Sequence, residues 1–141
     1  MATMTHEQWR EFVMAGTRTG KLAVTRPDGR PHVTPIWFVL DGDDFLLNTG
    51  ENSVKGRALR RDPRVSLAVD DQQPPYSFVI VEGEAELSDD LAELQRWAAV
   101  IGGRYMGADR AAEFGERNGV PGELLVRIRP SKIIAAADIS A

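Results

Sequence analysis

Apolar residues recur along this chain at two different periods. Near the N-terminus Trp9, Phe12 and Val13 fall at i, i+3, i+4, which is the spacing of one helical face. Thr5 followed by Gln8 forms the pattern of a capping box, and Gly16 supplies a stop, so residues 5–15 read as a helix. From residue 21 the period drops to two. Residues 21–26, 31–40 and 44–49 read as strands, joined by turns at Pro27-Asp28-Gly29 and Asp41-Gly42-Asp43. The middle strand carries Pro31 and Pro35. Proline cannot donate to a ladder, so that strand belongs at an edge or is irregular, with backbone groups free to meet a ligand.

Residues 52–61 read as a short helix rich in basic side chains (Lys55, Arg57, Arg60, Arg61), ended by Asp62-Pro63. Val65, Leu67 and Val69 alternate, giving a strand over 64–70. A proline-bearing loop, 71–75, leads into a long strand over 76–87. In its second half Val81, Gly83, Ala85 and Leu87 oppose Glu82, Glu84 and Glu86, which predicts one wet face. Ser88 reads as a helix cap, with Leu91, Leu94, Ala98 and Ile101 at helical spacing behind it and Gly102-Gly103 as a break or kink. Residues 108–117 read as a further helix, Pro121-Gly122 as a turn, and 123–139 as a last strand interrupted at Pro130. These elements predict an α+β protein: a six-stranded antiparallel split β-barrel with peripheral helices, as one domain over 1–141.

Composition narrows the function. Net charge is −4, which argues against nucleic acid as the main partner but leaves room for a local basic cluster that holds a small anion. The chain has no cysteine, which excludes disulfides, thiolate metal sites and cysteine nucleophiles. Its two histidines, His6 and His32, argue against a multi-histidine metal site. No apolar run reaches the ~20 residues of a membrane span. Residues 1–10 are polar and lack the apolar stretch of a signal peptide, so the expected location is the cytoplasm.

The chemistry concentrates between residues 29 and 70. Asn48, Thr49, Gly50, Ser53 and Lys55 would surround the start of the basic helix. A helix N-terminus presents free amides and partial positive charge. A glycine, hydroxyls and a lysine beside it make an anion site, which Arg57, Arg60 and Arg61 extend. A planar ring would lie against Pro35, Ile36 and Trp37. The competing reading makes the arginines a solvated face and Trp37 and Phe38 core or interface bulk. Trp97 and Tyr105 read as helical core in preference to a substrate wall. No serine–histidine–aspartate constellation is present.

Three stretches then become informative together: "DGRPHVTPIWF", the spacing K-x-R-x-L-x-R-D-P-R-V, and V-E-G-x-A-x-L. Over residues 21–87 the chain resembles the flavin/deazaflavin oxidoreductase superfamily, the pyridoxamine-phosphate-oxidase-like split barrels, and in particular their F420-dependent branch. The resemblance implies a homodimer with cofactor at the subunit interface. It implies that Thr49, Gly50, Ser53, Lys55 and Arg57 hold the cofactor phosphate, together with Asn48, Val54 and Arg60 in the same binding set. His32, Thr34, Pro35, Ile36 and Trp37 would line the ring system, and Tyr76 and Phe78 would come from the partner subunit. Pro35 stands where several F420-binding relatives carry a polar amide. The implied cofactor is coenzyme F420, with FMN as the alternative. The implied reaction is hydride transfer to a quinone, enone or tetrapyrrole with no catalytic side chain, the protein supplying placement and charge. The rivals are an FMN-dependent reductase, a non-catalytic cofactor- or tetrapyrrole-binding protein, and a purely structural dimer.

Overall fold

The computed structural model describes residues 2–141. In chain order the elements are β1 (Ala2–Thr3), α1 (His6–Met14), β2 (Gly20–Thr25), β3 (Pro31–Ile36), β4 (Val39–Asp41), β5 (Asp44–Gly50) and α2 (Val54–Arg61). They continue as β6 (Arg64–Asp71), β7 (Ser77–Ser88), α3 (Leu91–Met106), a 3₁₀ turn (Ala108–Arg110), α4 (Ala111–Asn118) and β8 (Glu123–Ala137). All strand pairings are antiparallel. The order across the sheet is β3-β2-β6-β7-β8-β5-β4, with β1 added to β8, so it has eight strands where six were expected. Part of the excess is the two-residue β1. The rest comes from the predicted strand 31–40, which divides at Trp37-Phe38 into β3 and β4, the two ends of the open path.

That division has a local cause. At Phe38 the ladder stops, and α3 takes over its backbone: the amide donates to Tyr105 Oη at 3.2 Å, and the carbonyl accepts from Arg104 Nη1 at 2.6 Å. Buried backbone groups need partners, and here side chains replace a neighbouring strand. Pro31 and Pro35 lie on β3, an end strand of the path, as a missing donor requires.

The capping box of α1 is present. Gln8 N–H donates to Thr5 Oγ1 at 3.2 Å, and Thr5 N–H donates to Gln8 Oε1 at 2.8 Å. Two expectations fail around α3. Asp90, not Ser88, caps it, accepting from Glu93 N–H at 3.2 Å, because β7 runs on to Ser88. Nor do Gly102-Gly103 break it, since the helix continues to Met106 and ends at Gly107 with φ 104°. A Cβ at Gly102 would overlap the side chain of Phe114, so this glycine serves close approach of α4. Pro130 does not interrupt β8, because a bulge against Glu82/Gly83 absorbs the irregularity.

The inner faces of β2, β6 and β7 contribute Leu22, Val24, Leu67, Val69, Val79 and Val81 to the main core, plugged by Trp9 and Val13 of α1 and Ala58 and Leu59 of α2. β5 is buried on both sides. Phe45 and Leu47 enter that core, while Leu46 joins Val39, Leu94, Ile101 and Leu125 in a second cluster under α3. Each fully buried valine, leucine, isoleucine or phenylalanine side chain contributes about 1.5–3 kcal/mol by leaving water. The result fixes α2 and α3 on either side of the end of β5.

Candidate functional site

β5 delivers Asn48, Thr49 and Gly50 to the turn that starts α2, and Ser53 caps the helix. Ser53 Oγ donates to the Gly50 carbonyl at 2.7 Å and accepts from Gly56 N–H at 3.0 Å. Its single proton is thus engaged, so the 3.0 Å contact with Thr49 Oγ1 has the threonine as donor. Both hydroxyls build the helix start. In the first turn, the amides of Val54 and Lys55 have no intrahelical carbonyl to reach, and they sit at the positive end of the helix dipole.

Beside this turn lies a cleft of about 430 Å³. Its walls are Pro35, Ile36 and Trp37 from the strand corner, Asn48 from β5, Lys55 from α2, Ile101 from α3 and Thr19. Five of the residues read from the sequence therefore come together here: Pro35, Ile36, Trp37, Asn48 and Lys55. Burial pushes the Lys55 ammonium below the ordinary lysine range, and no carboxylate acts against that shift. The amide nitrogen of Asn48 is buried without a hydrogen-bond partner. An unpaired buried donor costs about 1–3 kcal/mol. The cleft thus offers a desolvated cation and a spare neutral donor between apolar walls, a set that fits an anionic or carbonyl-bearing planar ligand.

A second groove, of about 390 Å³, runs along the other face of α2. Val54, Arg57, Ala58 and Arg61 follow one another at helical spacing, facing Arg26, Pro27 and Asp28 of the β2–β3 turn. Hydrogen bonds from the Arg30 backbone and side chain lower the pKa of Asp28, and its charge is already matched by Arg30. Arg61 donates to the Thr25 carbonyl. The groove therefore carries three arginines on an apolar floor.

The other expected residues are distributed differently. Arg60 pairs with Glu51 at 3.2 Å and lines neither the cleft nor the groove. His32 and Thr34 lie further along β3, opposite Val24 and Leu22. Neither is among the cleft walls, and the Thr34 hydroxyl is buried without a partner. Tyr76 is exposed in the loop before β7, and Phe78 pairs with Asp70 and Ala136 on β7, away from the cleft within this chain. Thr19, Ile101 and Arg26 were missed. Thr19 and Arg26 carry no motif, and Ile101 has the signal of an ordinary core position. Tyr105, read as core, stacks on Trp37 with ring centroids 5.0 Å apart and planes 3° from parallel.

Residues 5–136 match the pyridoxamine 5'-phosphate oxidase family. The chain belongs to this family. With it comes the flavin/deazaflavin superfamily of split barrels that residues 21–87 resemble. Among solved structures, a conserved hypothetical protein, Rv2991 from Mycobacterium tuberculosis, is 29% identical with a TM-score of 0.85, over 97% of this chain and 87% of that one. An F420 reductase is 26% identical with a TM-score of 0.69, over 87% of this chain and 94% of that one. A FAD-binding protein from Mesorhizobium loti, at 20% identity and a TM-score of 0.70 over 95% and 93% of the two chains, shares the fold. As a pyridoxamine 5'-phosphate oxidase family member, the chain has the fold of flavin-type oxidoreductases. Among the described residues no helix is long and apolar enough to cross a membrane.

Proposed function

We propose that this protein is a cytoplasmic, homodimeric oxidoreductase that binds coenzyme F420 in the Lys55 cleft and passes hydride to a small conjugated acceptor. The observation that carries the reading is Lys55 itself: half-buried, with no carboxylate acting on it, next to the free amides of a helix start and the unpaired Asn48 amide. Similarity to an F420 reductase supports the class of cofactor.

When bound, reduced F420 supplies the hydride. The chain's own residues place it. Lys55, with the Val54 and Lys55 amides, holds the phosphate. Thr49 and Ser53 act one step back, by shaping that turn. Asn48 donates to an acceptor atom, and Pro35, Ile36 and Trp37 exclude water from the ring. The groove of Arg26, Arg57 and Arg61 favours F420 over FMN, because FMN ends at its single phosphate and the acidic tail of F420 does not. Arg60, neutralised by Glu51, adds nothing to that preference.

Support for the dimer comes from the outer face of the sheet. Pro35, Lys21, Ala68, Ile80 and Ile134 stand opposite one another across five strands, with Val33 and Ala23 in the next row. Val33 is 59% and Ile134 40% exposed. Apart from Lys21, which pairs with Asp70 at 3.0 Å, these positions are apolar, and a row of this width suits a second copy of the chain. Phe78, on the same face as Ile80, would then reach the partner's cleft, and Tyr76 with it.

The test is titration of purified protein with F420 and with FMN, followed by addition of quinone, enone or tetrapyrrole acceptors to the reduced complex. Tighter F420 binding, with cofactor oxidation on adding an acceptor, is expected. Preference for FMN moves the reading to a flavin reductase, and binding without turnover to a carrier protein.

A further inference from the structure

Trp37 stands in the two-residue gap between β3 and β4, where no ladder holds it, yet its indole forms a wall of the cleft. Two consecutive residues of α3 fix that gap. Tyr105 Oη accepts from Phe38 N–H at 3.2 Å and donates to the Arg18 carbonyl at 2.7 Å. Arg104 donates to three carbonyls: Phe38 at 2.6 Å, Val13 at 2.8 Å and Gly16 at 3.1 Å. Its guanidinium also lies 4.7 Å from the Phe38 ring centroid and 4.8 Å from that of Tyr105. No carboxylate compensates Arg104, and its burial lowers its pKa. These bonds tie the half-buried guanidinium to Phe38 and to the end of α1, and so fix the placement of the gap.

The same Tyr105 ring lies flat on the Trp37 indole, at 5.0 Å and 3°, while Phe114 meets the indole edge at 5.8 Å and 62°. Trp37 nevertheless stays 36% exposed. One ring face and one edge are covered, and the plane is set by its neighbours before any ligand arrives. A planar ligand that stacks on a preoriented ring avoids the entropy of ordering it.

We propose that Tyr105 is a positioning residue: by stacking on Trp37 and holding Phe38, it presents the indole as a fixed flat platform for a planar conjugated ring in the Lys55 cleft. This rests on reading that cleft as the cofactor site. Tyr105 acts through Trp37 and touches no reacting atom.

The test uses full-length protein labelled with 5-fluorotryptophan, the Trp37 ¹⁹F resonance being assigned by Trp37→Phe. Tyr105→Leu should shift or broaden the Trp37 signal, leave that of Trp9 unchanged, and weaken binding of F420 or FMN roughly three- to tenfold. Tyr105→Phe should restore the signal and most of the affinity while speeding hydrogen exchange at the Phe38 amide. If Tyr105→Leu does not fold, Tyr105→Phe decides. Unchanged Phe38 exchange would then overturn the proposal. A Tyr105→Leu protein with normal affinity, when Trp37→Leu has lost it, also overturns the proposal but leaves the cleft reading standing. Normal affinity in Trp37→Leu itself overturns both.

Discussion

The hydroxyl of Thr49 lies 3.0 Å from that of Ser53, and Ser53 in turn closes onto the Gly50 carbonyl and the Gly56 amide. These two side chains, which the resemblance places on the cofactor phosphate, spend their hydrogen bonds on the turn itself. Ser53→Ala should therefore destabilise the fold by about 1–2 kcal/mol, the usual loss for an N-cap. Denaturant unfolding checks this. Its effect on cofactor affinity should be smaller than that of Lys55→Ala.

The arginines of α2 should separate. Arg57 faces the groove, whereas Arg60 is paired with Glu51. Arg57→Ala should weaken F420 binding, more so at low salt, and change FMN binding less. Arg60→Ala should change neither. Titrations at two ionic strengths distinguish the pair.

Gly102 tests how α3 meets α4. A Cβ there would overlap Phe114, which is buried. Gly102→Ala should destabilise by about 1–3 kcal/mol through overpacking, despite alanine's better helix propensity. A thermal melt that rises instead would mean that α4 moves away freely.

Glu123 pairs in register with Gly50, and burial raises its pKa above the ordinary glutamate value of 4.5. The folded state therefore binds this proton more tightly than the unfolded chain does. Its contribution is most favourable below about pH 4.5. It declines as pH rises towards the folded pKa and stays lower beyond it. Glu123→Gln should remove that slope, so its melting temperature should gain on the wild type from acid to neutral pH. Parallel melts across that range provide the check.

Much of this architecture could be read locally. The Thr5–Gln8 box, the alternation over 64–70 and the placement of Pro31 and Pro35 at an edge depend on residues close in sequence, where propensity and hydrogen bonding act directly. The cleft was half legible for the same reason: Asn48 and Lys55 flank one turn. What escaped depends on distant partners. The break at Trp37-Phe38 is made by Arg104 and Tyr105, 66 and 67 residues further on from Phe38. Gly102-Gly103 looks like a stop until Phe114 is packed against it. Arg60 looks like part of an anion site until Glu51 is seen beside it. Ile101 and Thr19 reach the cleft only because α3 and the start of β2 are folded over it.

Calorimetric titration of F420 into wild-type protein and Lys55→Ala tests the central claim most directly. Lys55 has no carboxylate acting on it, so thermal stability should hardly change. Binding should weaken by about 1.5–3 kcal/mol, the value of a charge-assisted hydrogen bond, or roughly ten- to a hundredfold in Kd. Equal affinity in the two proteins would contradict the assignment of this cleft.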